Sequence, residues 1–169
     1  PLCGSWSLMD LRIKSVKVDI PKDANVIIGQ THFIKSVEDI YEAINGSAKL
    51  RFGIAFAEAS GPCLVRYDGN DEELQEAAVE ACRNIGAGHT FVVFLREGYP
   101  INVLNSLKSV TEVCTIFCAT ANPLEIIIAE GEAGRGVLGV IDGSSPRGVE
   151  DAVAKRERAE FLRRIGYKR

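Results

Sequence analysis

Apolar residues recur along the chain at two spacings, and each change of spacing marks a change of element. Over residues 11–20 the apolar positions are 11 and 13, then 16, 18 and 20, which describes a strand whose phase slips once. Val26-Ile27-Ile28 is a short buried run closed by Gly29. Val37, Ile40, Tyr41 and Ile44 then share one helical face, with Ser36 placed to cap the helix and Asn45-Gly46 to end it. Residues 52–57 and 63–67 read as strands around the turn Ser60-Gly61-Pro62. Asp68-Gly69 leads into a long helix over 71–85 with Leu74, Ala78, Ala81 and Ile85 inward.

Gly86-Ala87-Gly88 ends that helix and opens a buried strand over 89–95, and Pro100 suits the first turn of a helix that runs to 110. Strands over 113–119 and 125–129 follow, joined through Thr120-Ala121-Asn122-Pro123. A glycine-rich loop precedes a strand over 137–141. The chain finishes in a charged helix over 152–165, whose Lys155-Arg156-Glu157-Arg158 run is a solvated face. Strands and helices mix without strict βαβ alternation, which predicts one α/β domain with helices packed on a mixed β-sheet. Its core is expected from Ile27, Phe56, Phe91, Val93, Ile116 and Ile127. Neither an internal repeat nor a low-complexity tract interrupts it.

Length and charge narrow the class. A chain of 169 residues supports one well-buried core. Residues 1–8, ahead of Met9, read as a cloning remnant or mis-set start, leaving 9–169 as the domain. Twenty Lys and Arg against 23 Asp and Glu argue against a nucleic-acid binder, which carries a basic stripe. No apolar run approaches the roughly 20 residues that span a bilayer, so no membrane partner is expected. Cys63, Cys82, Cys114 and Cys118 lack disulfide-like spacing and read as buried thiols of a reducing compartment, hence a cytoplasmic protein.

The candidate chemistry sits at element boundaries. Gly134-Arg135-Gly136-Val137-Leu138-Gly139 matches the dinucleotide fingerprint in letters, but β-forming residues follow where a helix must begin. As a loop of free N–H groups beside Arg135 it can hold an anion; as a hairpin turn it holds nothing. No phosphate-binding G-x-x-x-x-G-K-[ST] loop occurs. The two histidines, His32 and His89, each follow small residues, and Gly88 lets a ligand approach the backbone beside His89. Imidazole suits phosphoryl transfer and proton shuttling near neutral pH. Cys114 and Cys118 are expected on one strand face, but no second pair completes a metal site, so none is assigned. Asn102, Asn122 and Glu58 are polar groups in apolar surroundings, each also explained as a turn or strand-end residue. An amide additionally presents a donor and an acceptor to a base edge.

Six separated blocks resemble the adenosine-specific kinase family of archaea and some bacteria: residues 29–39, 58–62, 86–91, 100–105, 119–125 and 134–139. The resemblance spans residues 10–144 in the order of one compact domain. It implies binding of adenosine and AMP, with a phosphorylated histidine, His89 or His32, as intermediate. The glycine-rich approach favours His89. In this reading Asn102, Asn122, Glu58 and Gly88 hold the nucleoside. The cations Arg135, Arg96 and Lys35, with Gly134 and Gly136, meet phosphate. No cofactor is assigned; Mg²⁺ and a nucleotide phosphoryl donor are what a kinase calls for. The alternative is an adenosine or AMP sensor that binds without turnover. A homo-oligomer is expected in either case.

Overall fold

The computed structural model describes residues 10–169, so the first nine residues, among them Cys3 and Trp6, lie outside it. The strands are β1 (Arg12–Val18), β2 (Asn25–Thr31), β3 (Arg51–Ala57), β4 (Val65–Gly69), β5 (Thr90–Arg96), β6 (Val113–Thr120), β7 (Leu124–Gly131) and β8 (Gly134–Asp142). The helices are α1 (Ser36–Ser47), α2 (Glu72–Ile85), α3 (Leu104–Ser109) and α4 (Ala152–Arg164), with a 3₁₀ turn at Pro100–Asn102. The α/β class holds. The strands divide between two sheets, ordered β4-β3-β5-β2-β6 and β1-β7-β8, and every ladder in them is antiparallel. Among the described residues the one parallel contact is an isolated bridge between Ala87 and Arg135.

The five-stranded sheet is buried on both faces, which is why β2 and β5 read as continuous apolar runs. On one face Ile27, Phe52, Ile54, Phe56, Phe91 and Val93 pack under Val37, Ile40 and Ile44 of α1 and Leu107 of α3. On the other, Val26, Ile28, Val92 and Phe94 meet Leu74, Ala78, Cys82 and Ile85 of α2, together with Leu124, Ile126 and Ile128 of the second sheet. Four of the six expected core residues are fully buried here. Ile127 is only half-buried, because Ile126 and Ile128 turn inward and strand alternation sends their neighbour out. Ile116 packs against the α1-side cluster but is likewise half-buried.

Several boundaries move for identifiable reasons. Ser36 is not a cap: Lys35 occupies that position, and the buried Ser36 hydroxyl lies 2.6 Å from that of Thr31. Asn45-Gly46 does not stop α1, which runs on to Ser47 and ends at Ala48. Asp71 caps α2 through a bond from Leu74 N (3.2 Å), and Gly86 closes it in the left-handed region at φ 62°. The helix expected over 100–110 is the 3₁₀ turn followed by α3. Cys63 falls in a turn with φ 51°, outside β4. Cys63 and Cys114 are exposed and only Cys82 and Cys118 buried. The β2–β6 register shifts between Ile28 and Gly29 and again between Gln30 and Thr31. These bulges break the period-two alternation that would put both β6 thiols on one face. Among the described residues no helix is long and apolar enough to cross a membrane.

Candidate functional site

At one end of the five-stranded sheet β2 and β3 finish while β4, β5 and β6 begin, and this corner gathers both histidines. His89 precedes β5 with φ 63°, a left-handed conformation that costs a non-glycine residue about 1 kcal/mol or more. It is clamped there from both sides. Its N–H donates to Ala57 O at 2.7 Å, and its carbonyl accepts from Thr31 N at 2.9 Å. Its ring stacks on Phe56, with centroids 5.9 Å apart and planes 15° from parallel. Gly88, just before it, has no room for a side chain, since a Cβ there would lie 2.8 Å from that of Ala59.

Phe56 pairs with Arg66 across the β3–β4 ladder, so both side chains leave the same face of the sheet. Arg66 Nη2 donates to the Glu58 carboxylate at 3.1 Å, and Leu64 N donates to the same oxygen at 3.3 Å. Arg66 Nε is buried and has no partner among the described residues. The guanidinium lines a cleft of about 400 Å³ between β4 and the start of α1, together with Ile34, Val37, Glu38, Val65, Tyr67 and Asp68. A slightly larger cleft, of about 460 Å³, lies between Tyr67 and α2 and contains no candidate residue.

His32 sits at the same corner on different partners. Its backbone N–H and its ring Nδ1 both reach the Glu112 carbonyl, at 3.2 and 3.0 Å, and Thr31 Oγ1 donates to that oxygen at 3.1 Å. Because a carbonyl only accepts, the neutral ring carries its proton on Nδ1 and leaves Nε2 free. The Glu112 side chain is 2% exposed; its Oε1 accepts from Lys35 Nζ at 2.9 Å while Oε2 has no partner among the described residues. Lys35 also pairs with Asp39. The Lys35 ammonium is held above its ordinary range first by Asp39 and then by Glu112, and the Asp39 carboxyl is held below its own, chiefly by the Lys35 bond.

The remaining candidates are elsewhere or engaged. Arg96 ends β5, roughly 20 Å along the strand from His89, and its guanidinium grips Glu73 at 2.7 and 2.8 Å. Asn102 lies at that far end, where its Oδ1 accepts from Tyr99 N at 2.8 Å. Asn122, after β6, donates from Nδ2 to Asp142 at 3.0 Å. The Ala87–Arg135 bridge does bring the 134–136 segment against the loop before His89. Even so, Gly134, Arg135 and Gly136 lie within β8, paired to Gly131, Glu130 and Ala129, rather than in an open anion loop. The Arg135 guanidinium bonds Glu130 at 2.7 Å and the α2-terminal carbonyls of Asn84 and Ile85 at 3.1 and 3.4 Å. Arg66 and Glu112 go unmarked in the sequence and Phe56 is marked only as core, because their place at the corner follows from strand pairing and not from any local motif. Among the described residues no group of three or more His, Cys, Asp or Glu is placed to hold a metal ion.

A search of curated proteins found no match. The chain is 42% identical to the PH1918 protein from Pyrococcus horikoshii OT3, whose crystal structure superposes with a TM-score of 0.91 over 95% of this chain and 99% of that one. The sequence model of one family, described as adenosine specific kinase, matches residues 16–168. That span contains the whole corner, from Thr31 and His32 through Glu58 and His89 to Glu112. The chain therefore belongs to the adenosine-specific kinases, a family whose name ties this fold to phosphotransfer involving adenosine.

Proposed function

We propose that the protein binds adenosine and AMP at the corner beside Phe56 and transfers a phosphoryl group through a phosphohistidine at His89. One observation carries this reading: His89 is held in a strained left-handed backbone, clamped by Ala57 and Thr31, with its ring stacked on Phe56. Strain of this kind persists only where the surroundings over-determine it, and it concentrates at functional sites. No protein group bonds the His89 ring nitrogens among the described residues, which leaves them available to a phosphoryl group. The absence of a triphosphate-cradling loop fits a nucleoside or monophosphate ligand better than a tightly bound triphosphate.

Phosphohistidine is labile in acid and stable in base, so the test is chemical. With a γ-labelled nucleoside triphosphate, wild-type protein should acquire acid-labile label and pass it to adenosine, and His89→Gln should do neither while still binding adenosine. Label that survives in His89→Gln and is lost in His32→Gln would move the intermediate to His32, whose Nε2 is the free nitrogen of a fixed tautomer. Adenosine binding without label or turnover in wild type would make the protein a sensor.

We further infer that the chain associates with copies of itself. Helix α4 buries none of its residues, yet Val153 and Phe161 along it and Ile165 at its C-terminal cap expose apolar surface. A helix of 13 residues is marginal without packing. Concentration-dependent sedimentation tests this, and a single monomeric species at all concentrations would refute it.

A further inference from the structure

A phosphoryl group on His89 brings close to two negative charges into the corner and needs a cation there. Among the cations the sequence offers, Lys35 is tied to Asp39 and Glu112, Arg135 to Glu130 and two carbonyls, and Arg96 lies at the far end of β5. Arg66 differs from all three. It is the cross-strand partner of the ring on which His89 stacks, and among the described residues it is the only cation lining the cleft between β4 and α1. Its guanidinium has five N–H donors, yet the described residues give it a single carboxylate contact and leave the buried Nε without a partner. Glu38 and Asp68 also line the cleft, so Arg66 supplies the positive charge among its lining residues.

We propose that Arg66 is the phosphoryl-binding cation of the phosphorylated enzyme, and that Glu58 then holds the proton on the opposite ring nitrogen of His89. The proposal rests on the phosphohistidine reading above. Glu58 directly follows Ala57, whose carbonyl takes the His89 N–H, and its side chain is only 12% exposed. In the forming step the lone pair of one His89 nitrogen makes the N–P bond. The P–O bond of a nucleoside polyphosphate breaks, and its electron pair leaves with the departing oxygen. The other ring nitrogen keeps its proton and donates it in a hydrogen bond to Glu58, which offsets the positive ring. When a nucleoside hydroxyl attacks, the O–P bond forms, the N–P pair returns to the ring, and the hydroxyl proton leaves to water.

Phosphoramidate phosphorylates imidazoles without any enzyme, so it loads His89 independently of the natural donor. The decay of phospho-His89, followed by ³¹P resonance in the intact protein, should be roughly tenfold faster or more in Arg66→Gln, with Arg66→Lys intermediate because it keeps charge but loses the fork. Glu58→Gln should alter the ¹⁵N signature of the His89 tautomer in the phosphorylated form and shift the pH dependence of decay. Matching melting curves exclude unfolding as the cause, and Arg66→Lys keeps the test open if Arg66→Gln does not fold. Decay in both Arg66 variants within about twofold of wild type overturns the role of Arg66, since one charge-assisted bond is worth more than that. An unchanged tautomer signature in Glu58→Gln overturns the role of Glu58. If phosphoramidate labels His89 but no nucleotide does, the phosphotransfer reading fails while the Arg66 contact is still decided. A His89 that resists both reagents overturns reading and contact together.

Discussion

The imidazole of His89 lies over the phenyl ring of Phe56, with planes 15° from parallel and centroids 5.9 Å apart. Phe56 is itself 1% exposed, so a core residue forms the floor on which the imidazole rests. Packing and chemistry therefore separate on mutation. Phe56→Ala should cost about 3–5 kcal/mol of stability, and Phe56→Leu, closer in volume, under about 1.5 kcal/mol. Phe56→Leu should still lower phosphohistidine labelling, because the stacking surface is gone. Denaturant melts beside acid-labile label yields check this, and wild-type labelling in Phe56→Leu would make Phe56 packing alone.

The left-handed backbone of His89 makes a second, less usual prediction. His89→Gly removes both the imidazole and the steric cost of φ 63°, so labelling should vanish while stability holds or rises by roughly 0.5–1 kcal/mol. A loss of stability beyond about 1 kcal/mol would instead show that ring stacking outweighs backbone strain at this position.

Asn122 tests whether the far end of the sheet takes part. Its amide bonds Asp142 at an exposed position, so Asn122→Ala should cost under about 1 kcal/mol in folding and leave adenosine affinity unchanged by calorimetry. Affinity weakened by roughly 1–3 kcal/mol would place the base at that end, which a nucleoside beside His89 within one chain cannot reach.

The local architecture was legible where a single segment decides it. Helix α2 follows from Asp71, the spacing of Leu74, Ala78, Ala81 and Ile85, and Gly86, all within one stretch. The apolar runs of β2 and β5 likewise announce strands buried on two faces. What the sequence could not show depends on pairing. Arg66 matters because β3–β4 registration sets it opposite Phe56, and the separation of Cys114 from Cys118 arises in two bulges against β2. Glu58 and Gly88 were marked from motifs and do lie at the His89 corner, whereas Asn102 and Arg96, marked the same way, lie at the other end of the sheet.

Thiol reactivity should follow burial. Loss of hydration pushes the Cys82 thiol up to about 12 and the Cys118 thiol up to about 11, so neither offers appreciable thiolate near pH 8. Iodoacetamide should alkylate the exposed Cys63 and Cys114 in the native protein, and Cys82 and Cys118 only after denaturation. Peptide mass spectrometry reads the order, and early modification of Cys82 would contradict the packing of α2 on β5.

The Lys35–Asp39 pair makes stability depend on pH at both extremes. The Asp39 carboxyl is depressed below its ordinary 3.8, so its contribution is present above that pH and lost as acid protonates it. Lys35 is raised above 10.5, so its contribution holds below that pH and fades as base removes the proton. Both groups are largely solvated, which keeps the effect small. Asp39→Asn should flatten the decline in melting temperature below about pH 4; an unaltered acid limb would assign that decline to other carboxylates.

Strand β2 ends at Thr31, but the partners that complete the corner arrive much later in the chain: β5 opens at Thr90 and β6 at Val113. During synthesis the first histidine must therefore wait, with its buried neighbours unsatisfied, until residues beyond 112 have emerged. Contacts between such distant segments are also the slow ones to form in refolding. Recovery of histidine labelling after dilution from denaturant should then lag behind the return of helical ellipticity, and a chain truncated before β6 should never acquire it. Competence at this corner would time the last events of folding, in the test tube and on the ribosome alike.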